Sequence, residues 1–399
     1  MIYPSPTTWP SPWLHPSGDD PNATTLVAPD ATQAPPAGWS FVVCRPTGEP
    51  VGEALDARDR ACTWRLNGVH SARLVLDLED PLAVDLAAGM GRLKVYRSRT
   101  TAELAADPSL TSQLVFYGSL PAQGVREDAG AGTIEAVFHD PRWVLAERYS
   151  LGTETYSGVD QGAIAWGLVD TQNGRAGGDT WIREGGTTTG ITRDRTYDRR
   201  PVLGLLDDLT QVINGPDIDI DPRDGWGEAS PTRVMGNLRV YGQQGSDRPD
   251  VHLVYGAGLP SNVETVERSR LPVITEATIT GTTEGTAPLE STYTVAAGSA
   301  YGLLESVESD PDLSVQSTLD QKVTGLVQAR QAPVQVLSVG DLTADAPRPW
   351  EAFYLGDTVR VTARRGALQV NAEPFRIHGI EISIDPDGRE QITLTAGDA

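Results

Sequence analysis

Four carboxylates in this chain fall at a spacing that chemistry could use. Counting Asp217 as position 1, Asp217, Asp219, Asp221 and Glu228 occupy positions 1, 3, 5 and 12, the oxygen-ligand positions of a calcium-binding loop. Position 6 of such a loop is a glycine because the chain turns sharply there. Here it is Pro222, whose ring fixes φ near −65° and cannot replace that glycine. Ile218 and Ile220 alternate with the acids. A period of two describes a strand with one buried and one wet face, which is the preferred reading. A divalent cation held by Asp217, Asp219, Asp221 and Glu228 is the alternative.

Other reactive side chains are scattered. The five histidines, His15, His70, His139, His252 and His378, form no HExxH or HxH pattern, so a zinc site would have to gather distant ligands. No GxSxG, no GxxxxGKS/T and no GxGxxG after a strand is present, which leaves covalent and nucleotide chemistry without an anchor. Acidic pairs such as Glu79-Asp80 and Asp207-Asp208 could serve glycoside hydrolysis. Pairs are common among 54 acids, however, and solvation on the polar face of a helix accounts for Asp207 and Asp208. Tryptophans (nine) outnumber phenylalanines (five). Trp13, Trp181 and Trp226 are candidates for stacking on sugar rings, whereas Trp39, Trp64, Trp143 and Trp166 fall in predicted elements and belong in cores. Arg193, Arg195, Arg199 and Arg200 are interleaved with Asp194 and Asp198. They read as a compensated salt-bridge surface, with a subunit contact as the alternative. Cys44 and Cys62 make no CxxC. Two buried thiols are expected, and a single bridge is the alternative. No catalytic residue, cofactor or metal is assigned.

The elements that must carry these residues are mostly strands. Alternating apolar residues predict strands at 39–44, 62–67, 71–78, 92–97, 114–118 and 132–138, split by Gly, Pro and Asp turns. Asp140-Pro141 is a helix start signal. Helices are predicted at 142–148, at 160–171 and at 201–213, the last with Val202, Leu205, Leu206, Leu209, Val212 and Ile213 on one face. Residues 172–196 read as a loop or short hairpin. Strands resume at 217–221, 236–241, 252–255, 273–281 and 291–296. A helix at 318–331 and strands at 334–339, 358–362, 375–384 and 391–395 follow. The expected fold class is α+β and β-rich, with two small β-barrel-like domains and an intervening α/β domain. The expected boundaries are 1–37 for a Pro-rich extended arm, 38–140 for the first β-barrel domain, 141–265 for the α/β domain, and 266–399 for a second β-rich domain with an inserted helix.

Composition narrows the function classes. The 399 residues carry a net charge of −22, which repels phosphate backbones and anionic membranes. Specific nucleic-acid binding is not expected, although such a surface suits a conduit through which DNA slides. No run of about 18 apolar residues is present, so membrane insertion by a helix of this chain is not expected. The first sixteen residues have neither a basic nor an apolar signal-peptide region. Only Lys94 and Lys322 are lysines among 32 basic residues, an arginine bias that reads as a GC-rich genome.

Four stretches, in this order, carry a resemblance: TWRLNGVHSARLVLDLEDP with RLKVYRS and LVFYGSLPA; IEAVFHDPRWVLAERY; RPVLGLLDDLTQVINGPDIDIDP; and YLGDTVRVTA with FRIHGIEISIDPDGREQITLT. Together they resemble the tail hub, or minor tail, proteins of long-tailed bacteriophages. These are similar to the baseplate hub of contractile tails and to the N-terminal part of tail-associated lysins. The likeness spans residues 39–399. It implies a non-enzymatic structural protein of the virion tail tip, assembled in the host cytoplasm. It also implies a homotrimer that closes the tail tube and adapts a sixfold tube to threefold tip proteins, gating passage of tape measure protein and DNA. The implied partners are the hexameric distal tail protein, the tape measure protein and downstream fibre or spike proteins. The chain stops at Ala399, where many tail-associated lysins continue into a peptidase or glycosidase module, and its Pro-rich arm departs from the family pattern. A glycan-binding tail protein and a cell-wall hydrolase are the competing expectations.

Overall fold

The computed structural model describes residues 38–89, 91–99, 112–197, 199–223, 234–256, 260–281, 288–295, 300–310, 313, 315–343 and 345–398. The arm at 1–37 with Trp13, Asp198, and the segment carrying Trp226 and Glu228 lie outside these residues. The fold is α+β and rich in strands, as expected.

The first β region holds β1 (Trp39–Cys44), β2 (Pro50–Glu53), β3 (Asp59–Arg65), β4 (Ser71–Asp77), α1 (Pro81–Ala87), β5 (Arg92–Ser98), β6 (Ser112–Ser119), β7 (Val125–Asp128) and β8 (Thr133–His139). Its strands pair in the order β3-β4-β8-β6-β5-β1-β2, with β7 alongside β8. The alternation seen in sequence is the cause. In β4, Ala72, Leu74 and Leu76 turn inward while Ser71, Arg73 and Val75 are only partly covered. Helix α1 is an unexpected element. Asp80 caps it by accepting from the Leu82 N–H at 2.8 Å, and Pro81 takes the first helical position.

The middle region follows with α2 (Trp143–Ala146), β9 (Glu154–Asp160), α3 (Gln161–Asn173), β10 (Ile182–Gly186), β11 (Thr192–Tyr197), α4 (Val202–Thr210), β12 (Asp217–Pro222) and β13 (Gly236–Tyr241). The stretch read as a loop or hairpin contains β10 and β11, but they do not pair with each other. β10 runs parallel to β13, and β11 runs antiparallel to β9. Helix α4 buries Val202, Leu205, Leu206 and Leu209, the helical stripe anticipated, against a core that includes Ile164, Leu168, Ile218 and Leu238.

The second β region begins with β14 (Asp247–Gly256) and β15 (Val263–Arg270). An inserted unit follows, made of β16 (Glu276–Thr280), β17 (Glu290–Thr294), β18 (Glu305–Ser309) and α5 (Gln316–Arg330). The region then continues as β19 (Gln335–Leu342), β20 (Thr358–Arg365), β21 (Leu368–Ile384) and β22 (Glu390–Asp398). β14 pairs with β20 and β15 with β19, so pairing crosses the boundary expected at residue 265. The inserted unit is more than a helix. Its sheet, ordered β17-β16-β18, packs against α5 around a core of its own.

β21 is the seam of the molecule. It pairs along its length with β20 and β22, and its last turn of pairing runs from Gly379↔Arg65 to Ile384↔Arg60 on β3. The two β regions therefore share one sheet and one apolar core, in which Trp64, Leu74 and Phe138 join Ile380, Ile382 and Leu394. Trp39, Trp64 and Trp350 meet across the seam, the last two edge to face at 4.6 Å. Trp39 Nε1 donates to Glu390 at 2.7 Å. Cys44 and Cys62 are buried thiols not joined in a disulfide, the latter pushed up in pKa by burial.

Candidate functional site

Two of the acids singled out by their spacing, Asp217 and Asp219, stand where the three regions meet. β12 does not have a wet face there. Asp217, Ile218, Asp219 and Ile220 are all buried, and only Asp221 reaches solvent. The isoleucines enter the core of the middle region. Asp217 and Asp219 face the opposite way, into a polar cluster built by distant segments, which alternation alone could not reveal.

Asn67 supplies the first contact. It sits in the β3–β4 turn at φ 58°, a left-handed conformation that Asn tolerates. Its Nδ2 donates to Asp217 Oδ1 at 2.9 Å, and its Oδ1 accepts from the Ile218 N–H at 2.7 Å. From the second β region, Arg376 Nη2 on β21 donates to Asp217 Oδ2 and also to the Gln244 carbonyl, the latter at 2.9 Å. The Gln244 N–H donates to the same Asp217 oxygen at 2.6 Å. One carboxylate thus ties all three regions together.

Asp219 gathers a second set. His70 Nε2 lies 2.8 Å from its Oδ1, and Gln244 Nε2 donates to its Oδ2 at 3.1 Å. The Arg65 N–H donates to His70 Nδ1, which leaves Nε2 as the nitrogen that carries the proton toward Asp219. Arg142, only 2% exposed, completes the cluster. It donates through Nε to Asp140 at 3.2 Å, through Nη1 to the Ile218 carbonyl at 3.0 Å and through Nη2 to the Gly68 carbonyl. Asp140 Oδ1 accepts from the Arg142 N–H, so the expected start signal holds the chain just before the single-turn helix α2. Burial alone would raise the Asp219 pKa. The His70 ring, the Arg142 charge and the Gln244 amide outweigh it and hold the carboxyl well below the usual range.

Backbone packing reinforces the junction. Gly245 and Gly356 both have positive φ, 88° and 83°, and lie back to back. A Cβ on Gly245 would stand 2.1 Å from the Gly356 carbonyl carbon, so neither position admits a side chain. The oxygens of Asp217 and Asp219 are occupied by N–H donors, and Asp221 pairs with Arg239 at 3.3 Å. Among the described residues no group of three or more His, Cys, Asp or Glu side chains is placed to hold a metal ion.

The remaining candidates are distributed elsewhere. On β11, Arg195 is buried and Arg193 half-buried. They reach Gln321 and Thr318 on α5, and Arg193 Nη2 donates to the Ile213 and Asn214 carbonyls. Asp208 lies between Arg200 at 2.6 Å and Lys322 at 3.3 Å, and Lys322 also reaches Asp310 at 2.7 Å. Ion pairing, not solvation, accounts for Asp208. The inserted unit docks on the middle region through these contacts. Trp181 is half-buried at φ 63°, with the Arg92 guanidinium 4.8 Å from its ring centre, so one ring face is already covered. Trp143 is half-buried and donates to Ser119, and Trp166 packs on the middle core.

No family model matches the chain, and no curated protein matches it by sequence. Solved structures do resemble it. The tail protein from Neisseria meningitidis MC58 superposes with a TM-score of 0.54 at 12% identity, covering 90% of this chain and 97% of that one. The 43 kDa tail protein of prophage MuSo2 from Shewanella oneidensis gives 0.54 at 10% identity, covering 90% and 98%. A chain of the Francisella PdpA-VgrG complex gives 0.51 at 7% identity, with 92% of this chain matched to 53% of that one. At such identities the likeness is one of fold, and it runs nearly end to end: this chain has the fold of phage tail proteins.

Proposed function

We propose that the chain is a non-enzymatic structural component of a phage tail tip, acting as a trimeric hub that closes the tail tube. The observation that carries this reading is the pair of β regions fused through β21 and β3 into one sheet, within a fold shared over 90% of the chain with two phage tail proteins. Two barrel-like units per chain present six similar units in a threefold ring. Such a ring can meet a sixfold tube above and threefold fibre or spike proteins below. The buried junction supports the role, because a symmetry adaptor works only if its two units keep a fixed mutual angle. The surface charge of the −22 chain suits a channel that passes tape measure protein and DNA without holding them.

Light scattering of the purified chain tests the assembly. The expected particle is about 128 kDa, three times the 42.7 kDa chain. A stable dimer would overturn the reading, since a twofold particle cannot cap a sixfold tube.

A further inference from the structure

The inserted unit leaves one sheet edge open. α5 covers the face of β16 that carries Ala277 and Ile279, and β18 pairs only with β16, in parallel register from Glu276↔Glu305 to Thr280↔Ser309. Among the described residues no strand pairs with its other edge. The Leu304 carbonyl accepts from the Glu276 N–H, and the Asp310 N–H donates to the Thr280 carbonyl. Even-numbered residues therefore turn their backbone toward β16. Glu305, Val307 and Ser309 present N–H and C=O outward.

Proteins ordinarily blunt such edges with charged side chains, proline or a bulge; the charges on β18 are both acidic, so they deter another acidic edge but not a basic strand. β18, Glu-Ser-Val-Glu-Ser, has no lysine, no proline and an unbroken register. Val307 is 75% exposed and Leu303, just upstream, 62%. Glu276 stands directly opposite Glu305, a like-charge cross-strand pair that destabilises the sheet by itself. No ion pair among the described residues relieves it. Glu308 adds a further negative charge to the same strand, on the opposite face. A strand whose cations all fall on the face of Glu276, Glu305 and Val307 would satisfy the outward backbone groups, lay the aliphatic stems of those cations over Val307 and neutralise the glutamate pair. A second copy of this acidic chain would meet repulsion there.

We propose that the free edge of β18 is a docking strand for an extended segment of a partner protein in which lysine or arginine alternates with apolar residues. The edge offers this whether or not the chain sits in a tail.

The probe is a fluorescein-labelled octapeptide of alternating arginine and valine, titrated by anisotropy onto the full chain. Its control is the same peptide with glutamate for arginine. The basic peptide is expected to bind at least about tenfold tighter than the acidic one, and to weaken with added salt. Val307→Pro removes one outward N–H but leaves the Ser306 and Glu308 pairing to β16 intact. It is expected to weaken binding about tenfold or more with unchanged circular dichroism. Glu305→Lys with Glu308→Lys is expected to reverse the preference between the peptides, which keeps the test decisive if the proline variant misfolds. Three results would each overturn the proposal: no binding of the basic peptide, equal binding by wild type and a folded Val307→Pro, or a fall in native mass on Val307→Pro that makes β18 a contact between copies.

Discussion

At the three-region junction, Asp217 and Asp219 are buried among Asn67, His70, Arg142, Gln244 and Arg376, and two glycines press backbone to backbone beside them. At the other contact, the inserted unit rests on the middle region through Lys322, Asp208, Gln321 and Thr318, with the Lys322 and Asp208 side chains 15% exposed. Both contacts are polar, yet they do different work. The deeply buried charges of Arg142 and Asp219, 2% and 9% exposed, make every partner obligatory, because any one removed leaves another uncompensated in a low dielectric. Lys322 and Asp208, each 15% exposed, keep more contact with water, which can replace a lost partner at lower cost. The first contact fixes an angle between β regions. The second parks a unit that already has a core of its own.

That contrast can be broken at its strongest point. Asp219→Ala leaves the His70 proton and the Gln244 amide without their acceptor and Arg142 without a nearby counter-charge, and is expected to cost about 3–5 kcal/mol in urea unfolding followed by tryptophan fluorescence. A loss below about 1 kcal/mol would mean that water reaches the cluster. Leu206→Ala, in the apolar core that both contacts lean on, is expected to cost about 2–5 kcal/mol and sets the scale for the polar variants. Lys322→Met is expected to cost about 1 kcal/mol or less. Hydrogen exchange should rise in α5 and β18 while β3 and β21 stay protected. Equal exchange throughout would show that the inserted unit unfolds only with the whole.

pH perturbs the two contacts most gently, and from opposite sides. The Asp219 carboxyl is depressed when folded, so its contribution is complete above its ordinary value of about 3.9 and is lost as pH falls through the lower folded value. Burial would lower the Lys322 pKa, but Asp310 and Asp208 outweigh it and raise the group. Its contribution is complete below about 10.4 and is lost as pH rises through the higher folded value. Pepsin in the acid window should cut first around the junction. Subtilisin in the alkaline window should first release peptides from residues 271–334. Cleavage in the reverse order would contradict the assignment of these charges.

Much of the fold was readable because apolar periodicity is local. Helix α4 and strands β1, β4 and β8 follow from their own residues. Strands β9 and β15 do not, being largely exposed and polar, Glu-Thr-Tyr-Ser-Gly-Val-Asp in the first case. Helix α1 carries at Asp80-Pro81 the same Asp-Pro start signal as Asp140-Pro141. The spacing of the β12 acids is visible in the sequence, but their partners are not. Alternation says which residues share a face, not what covers that face, and here the cover comes from Asn67 and Arg376, about 150 residues away on either side. The polar role of Arg193 and Arg195 was similarly invisible, since α5 lies more than 120 residues downstream.

The pairing of β21 with β3 also sets a timetable. A ribosome adds about 5–20 residues per second, and Gly379 follows its partner Arg65 by 314 positions. The outer edge of β3 therefore waits roughly 15 to 65 seconds during synthesis before its neighbour exists. For that interval a nearly finished sheet offers an unpaired template to any other nascent chain. The earliest strands are completed by the latest ones, so a message that stalls before the codon for Gly379 yields an aggregation-prone fragment instead of a smaller working protein.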